Sequence, residues 1–202
     1  MTTILLARHG ESDWNEEQRW QGHADRPLTE LGRAQARALA ERLAEVPLAA
    51  IYASDLARAH DTARAVAARK GMRVIARADL REVDVGSWSG RTRDEVEAQD
   101  PDGLHRWLEG AKGWEGGEAY EEMAARVVAA VREIGAAHRG ERVLVVSHGG
   151  PLRAVHARAL GMELHAHRRH APVEPNARLS AVVVEDGGFR RLHLPEEEAG
   201  RR

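Results

Sequence analysis

Two histidines in this chain have the same local setting, at the end of an apolar run and beside glycine. His9 lies in the segment Arg8-His9-Gly10-Glu11, and His148 lies in Ser147-His148-Gly149-Gly150. A neutral imidazole nitrogen can attack phosphorus, and the guanidinium of Arg8 carries donors that fit phosphate oxygens. The pattern therefore predicts phosphoryl chemistry, provided that the fold brings the two histidines together.

The composition excludes several other classes of function. The chain has 202 residues, a net charge of −2 and no cysteine. A nearly neutral chain has no overall positive field for nucleic acid or an anionic membrane, and the lack of cysteine excludes thiolate catalysis and cysteine-bound zinc. No apolar run approaches the length of a membrane span, and the first residues lack the pattern of a secretion signal. We therefore expect a cytoplasmic enzyme that binds neither nucleic acid nor a membrane.

The elements that must position the histidines alternate in type along the chain. Strands are expected over 4–7, 49–53, 73–76 and 142–146. Helices are expected from an N-cap at Thr29, from an N-cap at Ser54 to a stop at Gly71, over 118–137, and from Pro151. This order indicates an α/β fold, a three-layer αβα sandwich with a mostly parallel central sheet, closed by a hairpin over 177–194. Both histidines would then lie at the carboxyl ends of strands, where such sheets bind ligands.

We assign the chain to one domain and a tail. Residues 1–195 are expected to form a single catalytic domain, and the acidic end, 196–202, a flexible tail. Residues 86–117 are interpreted as a mostly irregular insertion with one helix near 93–99. Its three tryptophans form either an apolar lid over the site or an anchor on the core, and the anchor is favoured for Trp88. These tryptophans are Trp88, Trp107 and Trp114.

Five motifs span nearly the whole chain. They are Arg8-His9-Gly10-Glu11-Ser12 with Trp14-Asn15; Gln21-Gly22 through Asp25-Arg26-Pro27-Leu28-Thr29; Ser54-Asp55-Leu56-Ala57-Arg58-Ala59; Leu80-Arg81-Glu82; and Ser147-His148-Gly149-Gly150. In this order they resemble the histidine phosphatase superfamily, in the branch that includes cofactor-dependent phosphoglycerate mutase and broad-specificity phosphatases. The resemblance implies a phosphoglycerate mutase-like fold and transfer of the phosphoryl group through a phosphohistidine.

The resemblance also implies a role for individual residues. His9 is the expected nucleophile, and Arg8 and Arg58 are the expected phosphate clamp. Both arginines would favour the neutral, reactive form of His9. His148 is expected to donate a hydrogen bond to a transferring oxygen. Further expected phosphate or substrate ligands are Asn15, Gln21, Gly22, Glu82 and Gly149.

Glu82 matches the proton donor of the family. Breaking a phosphate ester leaves an alkoxide that needs a proton, and a carboxylic acid can supply it. Glu11 and Asp84 stay open as alternative acids.

The middle insertion favours hydrolysis over the mutase reaction, in which the phosphoryl group is returned to another hydroxyl of the substrate. Mutases of the family are longer and carry an additional basic cluster there, whereas residues 86–117 contain no adjacent pair of arginines. We therefore expect a phosphomonoester hydrolase that acts on a small phosphorylated metabolite. A phosphoglycerate mutase is the alternative, and a non-catalytic phosphate binder is less favoured because nucleophile and acid are both present. The sequence does not identify the substrate, and a homodimer stays open.

No cofactor and no metal are expected. The sequence contains no P-loop, no dinucleotide-binding motif and no Asp-rich metal motif, and arginines can supply the positive charge. His165, His167 and His170 lie close together in sequence, but Arg168 and Arg169 beside them would repel a cation. We therefore interpret this segment as a solvated loop.

Overall fold

The computed structural model of the protein describes residues 1–171 and 173–194. Within these residues, six strands form one sheet: β1 (Thr2–Arg8), β2 (Ala50–Ser54), β3 (Val74–Arg77), β4 (Arg142–Ser147), β5 (Leu179–Glu185) and β6 (Gly188–Leu192). Their order is β3-β2-β4-β1-β5-β6. The first four are parallel, whereas β5 runs antiparallel to both β1 and β6. The flexible tail predicted for 196–202 lies outside the described residues.

Eight helices accompany the sheet in the described part of the chain. They are α1 (Asp13–Glu16), α2 (Glu30–Arg42), α3 (Ala57–Lys70), α4 (Arg93–Gln99), α5 (Pro101–Leu108), α6 (Tyr120–Ala137), α7 (Gly149–Ala159) and α8 (Leu164–His170). The predicted α/β class, the mostly parallel sheet and the final hairpin are confirmed. None of the helices within the described ranges has both the length and the apolar character needed to cross a membrane.

Alternation along the central strands builds two separate cores, one on each face of the sheet. Ile4 and Leu6 of β1 pack in a cluster with residues of α6 and α7. Leu5 and Ala7, which point to the other face, pack with residues of α2 and α3. Because successive side chains of a strand point to opposite faces, a strand buried on both faces is a continuous apolar run. The result is the three-layer arrangement expected from the sequence.

Several local predictions at helix ends are confirmed and one is wrong. The Thr29 hydroxyl accepts a hydrogen bond from the Gly32 amide at 3.0 Å and caps α2, as predicted. Gly71 ends α3 with a φ of 64°, which glycine adopts without strain. Ser54, however, does not cap α3, because it is the last residue of β2 and the helix begins at Ala57.

Two helices were not predicted. The insertion 86–117 contains α5 in addition to the predicted α4, and Asp100 caps it by accepting a hydrogen bond from the Gly103 amide at 2.9 Å. An Asp-Pro pair at 100–101 is a helix-start signal that the irregular interpretation overlooked. The solvated loop expected around His165–His170 is also wrong, since these residues form α8. His167 is buried there, with 6% exposure.

Candidate active site

The two histidines singled out from the sequence lie beside each other at one edge of the sheet. β1 and β4 are parallel neighbours with Arg8 opposite Ser147, so the residues that follow them come together. The ring centroids of His9 and His148 are 5.1 Å apart, and both residues are buried. His9 lines a cavity of about 610 Å³ that opens at this edge.

The hydrogen bonding of His9 determines which ring nitrogen is available. Its Nδ1 lies 2.6 Å from the carbonyl oxygen of Gly10. Because a carbonyl oxygen only accepts hydrogen bonds, Nδ1 carries the proton and Nε2 keeps its lone pair. Burial, and then the charges of Arg58 and Arg8, hold the pKa of His9 well below 6.5. His9 is therefore neutral at physiological pH, with burial contributing more than the arginines on which the sequence argument relied.

His148 is a buried polar group that lacks a protein partner. It precedes α7 as the N-cap residue, and neither of its ring nitrogens has a hydrogen-bond partner among the described residues. Burial, followed by the charges of Arg58, His9 and Arg8, holds the pKa of His148 well below 6.5. An unpartnered buried imidazole is costly, so the arrangement indicates a ligand that receives its N–H.

Arg8 and Arg58 are oriented by backbone carbonyls and form no ion pair with a described carboxylate. Arg58, on α3, donates from Nη1 to the carbonyl of Ala24 at 2.7 Å and from Nη2 to that of Gly22 at 2.9 Å. Arg8 donates from Nη1 to the carbonyl of Glu174 at 2.9 Å. The Nε atoms of both are buried and have no hydrogen-bond partner among the residues that the structure describes. Burial lowers the pKa of Arg58 to about 10, so both side chains remain cationic and keep donors for an anion.

Two amide side chains line the same cavity. The Asn15 oxygen accepts hydrogen bonds from the Ser12 amide at 3.1 Å and from Asn176 Nδ2 at 3.3 Å, which leaves the Asn15 NH₂ group for a ligand. The Gln21 oxygen accepts a hydrogen bond from the Ser12 hydroxyl at 2.8 Å, which leaves the Gln21 NH₂ group for a ligand. Gly149, the first residue of α7, also lines the cavity, so the positive end of that helix borders it.

Glu82 is held at the cavity wall by backbone amides. Its Oε1 accepts from the Val83 amide at 2.9 Å and its Oε2 from the Gly150 amide at 3.2 Å. A Cβ at position 150 would collide with Oε1, so this close approach requires glycine.

The cavity distinguishes Glu82 from the two alternative acids. Among the described residues, Glu82 contributes the only carboxylate to the lining. Glu11 instead accepts a hydrogen bond from the Thr29 hydroxyl at 2.8 Å, and Asp84 accepts one from the Gly86 amide at 3.0 Å. Their side chains are thus engaged in the surrounding loops.

Arg126 was not singled out from the sequence, although it positions the segment that carries Glu82. From α6 it donates to the carbonyls of Asp79, Arg81 and Glu82 at 3.1, 2.8 and 2.7 Å. It also pairs with Glu118 at 2.7 Å. In the sequence, Arg126 lies next to the apolar face of the predicted helix, and this position was the signal that could have identified it.

Asn176 is a second missed residue, and it supports the end of β1. Its side chain donates to the carbonyl of His9 at 2.9 Å, and the neighbouring Ala177 amide donates to the carbonyl of Arg8 at 3.0 Å. Because β5 is antiparallel to β1, the residues just before β5 lie at the same sheet edge as His9. The predicted hairpin could have led to Asn176 by this argument.

The tryptophans of the insertion fall into two groups by their burial. Trp88 and Trp114 are buried in the core, as an anchor would be, whereas Trp107 is partly exposed and lines the cavity with Trp20. Two further arginines, Arg153 and Arg168, line this part of the cavity. The described residues hold no group of three His, Asp or Glu side chains placed to bind a metal ion.

Comparison with known proteins agrees with these observations. A model of the histidine phosphatase superfamily (branch 1) matches residues 4–196. Phosphoserine phosphatase 1 of Hydrogenobacter thermophilus is 37% identical over 166 residues, covering 81% of this chain and 79% of the relative. The metal-independent phosphoserine phosphatase of Arabidopsis thaliana is 42% identical over 164 residues, covering 78% and 68%.

A solved structure supports the same assignment. The mycobacterial glucosyl-3-phosphoglycerate phosphatase in complex with VO3 superposes with a TM-score of 0.86 at 33% identity, covering 95% of this chain and 97% of that one. Other relatives are named probable phosphoglycerate mutases. The matched length, the fold and the relatives together establish the family: the chain belongs to branch 1 of the histidine phosphatase superfamily.

Proposed function

We propose that this protein is a metal-independent phosphatase that hydrolyses a phosphomonoester of a small metabolite through a phosphohistidine at His9. The observation that carries the proposal is the state of His9, which is buried and neutral with its Nε2 lone pair free. Arg8 and Arg58, whose guanidinium groups have no carboxylate partner among the described residues, supply the positive charge for the phosphoryl oxygens. The relatives named as phosphatases support the reaction class.

In the first half of the proposed reaction, the phosphoryl oxygens bind Arg8, Arg58 and the His148 N–H. His9 Nε2 attacks phosphorus, and the ester P–O bond breaks with its electron pair going to the leaving oxygen. Protonated Glu82 delivers its proton to that oxygen, so the product leaves as an alcohol. The Nδ1 proton of His9 stays on its hydrogen bond to Gly10, which stabilises the charged phosphohistidine ring.

In the second half, water replaces the leaving group. Glu82, now a carboxylate, accepts a proton from the water as its oxygen attacks phosphorus. The P–N bond breaks, and its electron pair returns to Nε2 of His9. Inorganic phosphate is released, with His9 neutral and Glu82 protonated as before.

Mapping of the intermediate tests this proposal directly. The enzyme is quenched during turnover of ³²P-labelled substrate, and the label is mapped by peptide analysis. We expect it on the His9 peptide, stable to base and lost in acid. Label on another residue, or full turnover by His9→Ala, contradicts the proposal.

A phosphoglycerate mutase is the second candidate, and relatives that carry this name favour it as the alternative. Phosphate release from 3-phosphoglycerate is compared with formation of 2-phosphoglycerate on one preparation, with and without a bisphosphoglycerate primer. We expect hydrolysis to dominate and to persist in EDTA. Primer-dependent interconversion that exceeds hydrolysis reverses the ranking, and activity lost to EDTA and restored by a divalent ion contradicts the metal-independent mechanism.

We further propose that residues 1–195 act as one catalytic domain in which the insertion 86–117 covers the leaving group. Buried Trp88 and Trp114 hold the insertion, while Trp107 and Leu108 line the cavity. A phosphate analogue such as vanadate is expected to slow proteolysis within this insertion. Cleavage that is unaffected by vanadate contradicts the lid.

The cytoplasmic location and the homodimer stay predictions. Cell fractionation tests the first, and analytical ultracentrifugation of the full chain tests the second.

A further inference from the structure

Besides Arg8 and Arg58, the cavity is lined by an ion-paired Arg19, an exposed Arg93 and two half-buried arginines. The half-buried pair has no task in the proposed phosphoryl chemistry. Arg153 lies on α7 and Arg168 on α8, and both line the cavity that contains His9. Neither forms an ion pair with a described carboxylate. By contrast, Arg77 and Arg81 elsewhere in the fold pair with aspartates at 2.6 and 2.5 Å. Arg153 and Arg168 therefore lack a direct ion-pair partner within the described part of the chain.

Aromatic rings hold Arg168 in place without using its donors. Its guanidinium carbon lies 3.6 Å from the ring centroid of Tyr120 and 5.5 Å from that of Trp107. Tyr120 is itself held by a hydrogen bond from Trp107 Nε1 to its hydroxyl at 3.3 Å. Stacking on a ring face leaves the N–H groups at the guanidinium edge available for an anion.

Arg153 is only partly satisfied by the protein. It donates from Nη2 to the carbonyl of Ala171 at 2.7 Å, whereas its Nε is buried without a described partner. Burial, followed by the charge of Arg168, lowers the pKa of Arg153. The two guanidiniums thus repel each other, and a bound anion would relieve the repulsion and take up the unused donors.

From these contacts we infer that Arg153 and Arg168 form a second anion site, which binds a carboxylate or a second phosphate carried by the leaving group. Preferred substrates are then phosphomonoesters whose alcohol portion is itself anionic. Trp107 supplies an apolar wall beside the site, so a short carbon skeleton can pass between the two anions. The inference rests on the proposed function, because it takes the phosphoryl group to be bound at His9.

Two pairs of matched substrates measure how much the second anion contributes to kcat/KM. The first pair is 3-phosphoglycerate and glycerol 3-phosphate, which differ by a carboxylate in place of CH₂OH. The second pair is glucose 1,6-bisphosphate and glucose 6-phosphate, which differ by a second phosphate. We expect kcat/KM to be about tenfold to hundredfold higher for the doubly anionic member of at least one pair, the scale of one charge-assisted hydrogen-bonded contact. The pair that shows the preference identifies the anion.

Variants then assign the preference to the two arginines. Arg153→Met and Arg168→Met should each reduce kcat/KM for the doubly anionic substrate much more than for its partner, moving the ratio toward one. Arg168→Lys should keep part of the preference, because it retains the charge. Arg158→Met is the matched control, since Arg158 is exposed on α7 and does not line the cavity. Equal losses on both members of a pair, or a wild-type enzyme without preference, overturn the inference.

Binding separates this inference from the proposed function. Affinities of the same substrate pairs are measured by calorimetry in His9→Ala, where no phosphoryl transfer is expected. A preference for the second anion that disappears in His9→Ala/Arg168→Met supports the anion site even if wild-type turnover is absent. Turnover by the wild type without any binding preference leaves the phosphatase intact and overturns the second site.

Discussion

The two ends of the cavity are built in different ways. At the phosphate end, the residues after β1 and β4 come together because their strands are hydrogen-bonded neighbours. At the leaving-group end, the wall comes from α5, α6, α7 and α8, whose described side chains meet across helices through ring contacts and a single hydrogen bond, from Trp107 to Tyr120. The sheet therefore dictates where the chemistry occurs, and the helices and the insertion decide what else fits beside it.

The two ends of the cavity are also stabilised by different interactions. Around His9, main-chain groups are tied by specific hydrogen bonds, such as that from the Gly10 amide to the Thr62 hydroxyl at 2.9 Å. The other end depends on an aromatic cluster, with Trp20 and Trp107 at 5.0 Å and Trp114 and Tyr120 at 5.5 Å between ring centroids. Side chains in such a cluster can be exchanged with little change to the backbone, so specificity can vary while the chemistry is retained.

The largest expected effect lies at the phosphate end. His9→Ala removes the nucleophile, and we expect kcat to fall by about 10⁴-fold or more for every substrate, as for other covalent catalysts. Steady-state assays on p-nitrophenyl phosphate and an alkyl phosphate measure this loss. Circular dichroism checks that the variant is folded. A loss of activity on only one of the two substrates would contradict the proposal that the phosphate end carries out the chemistry for every substrate.

The second prediction concerns Glu82, which lies between the two ends. Glu82→Gln cannot donate a proton, and we expect about a hundredfold to ten-thousandfold slower phosphorylation by alkyl phosphates. The loss should be far smaller for p-nitrophenyl phosphate, because nitrophenolate leaves with little help. Burst kinetics isolate the phosphorylation step. Equal losses on both substrates would assign Glu82 a positioning role. Glu11 and Asp84 would then be the next candidates for the proton donor.

The third prediction concerns the packing behind α8. His156 is buried on α7 with Nε2 2.9 Å from the Ser180 hydroxyl, and burial, then the charges of Arg191 and His167, lowers its pKa to about 4. Between this value and the unfolded pKa of about 6.5, the unfolded chain binds more protons, so stability falls as the pH decreases. We expect His156 to contribute about 3 kcal/mol to the loss of unfolding free energy across this window, in addition to the contributions of the other buried histidines.

Urea unfolding at several pH values measures this loss. His156→Gln, which can keep a hydrogen bond to Ser180, should reduce the dependence by the contribution of His156. Hydrogen exchange should show α8 loosening before β1 and β4 as the pH falls. Simultaneous loosening of all three elements would contradict the proposed difference between the ends.

The smallest effect is expected at Asn176. Asn176→Ala removes the donor to the His9 carbonyl and to the Asn15 oxygen. Losing such a contact costs about 1 kcal/mol, which corresponds to roughly fivefold to tenfold in kcat/KM. Asn176→Asp should be worse than alanine, because it places an acceptor opposite two oxygens. If aspartate preserves activity better than alanine, Asn176 acts by filling space and does not orient the site.

The residues of the phosphate end could be predicted because their positions follow from strand order. His9 and His148 end apolar runs, and the ends of parallel strands meet at one edge regardless of how the helices pack. The apolar runs that predict strands buried on both faces also account for a core on each side of the sheet.

The leaving-group end could not be predicted in this way. An arginine such as Arg153 or Arg168 has the same sequence context whether its helix turns it toward a cavity or toward solvent. The charged residues of α8 concealed the burial of His167, which depends on the packing of α8 beside α7. Tertiary packing thus determined which charges became part of the cavity.

The position of β1 between β4 and β5 has a consequence for protein synthesis. β1 is synthesised before both of its hydrogen-bonding neighbours, which belong to the last third of the described chain. Until β4 and β5 are synthesised, this apolar strand has no partner on either edge, and the proposed nucleophile His9 lacks both His148 and Asn176. Such distant pairing folds slowly and exposes strand edges in the meantime. The site around His9 can therefore assemble only after β4 and β5 have been synthesised, and phosphatase activity cannot begin before that point.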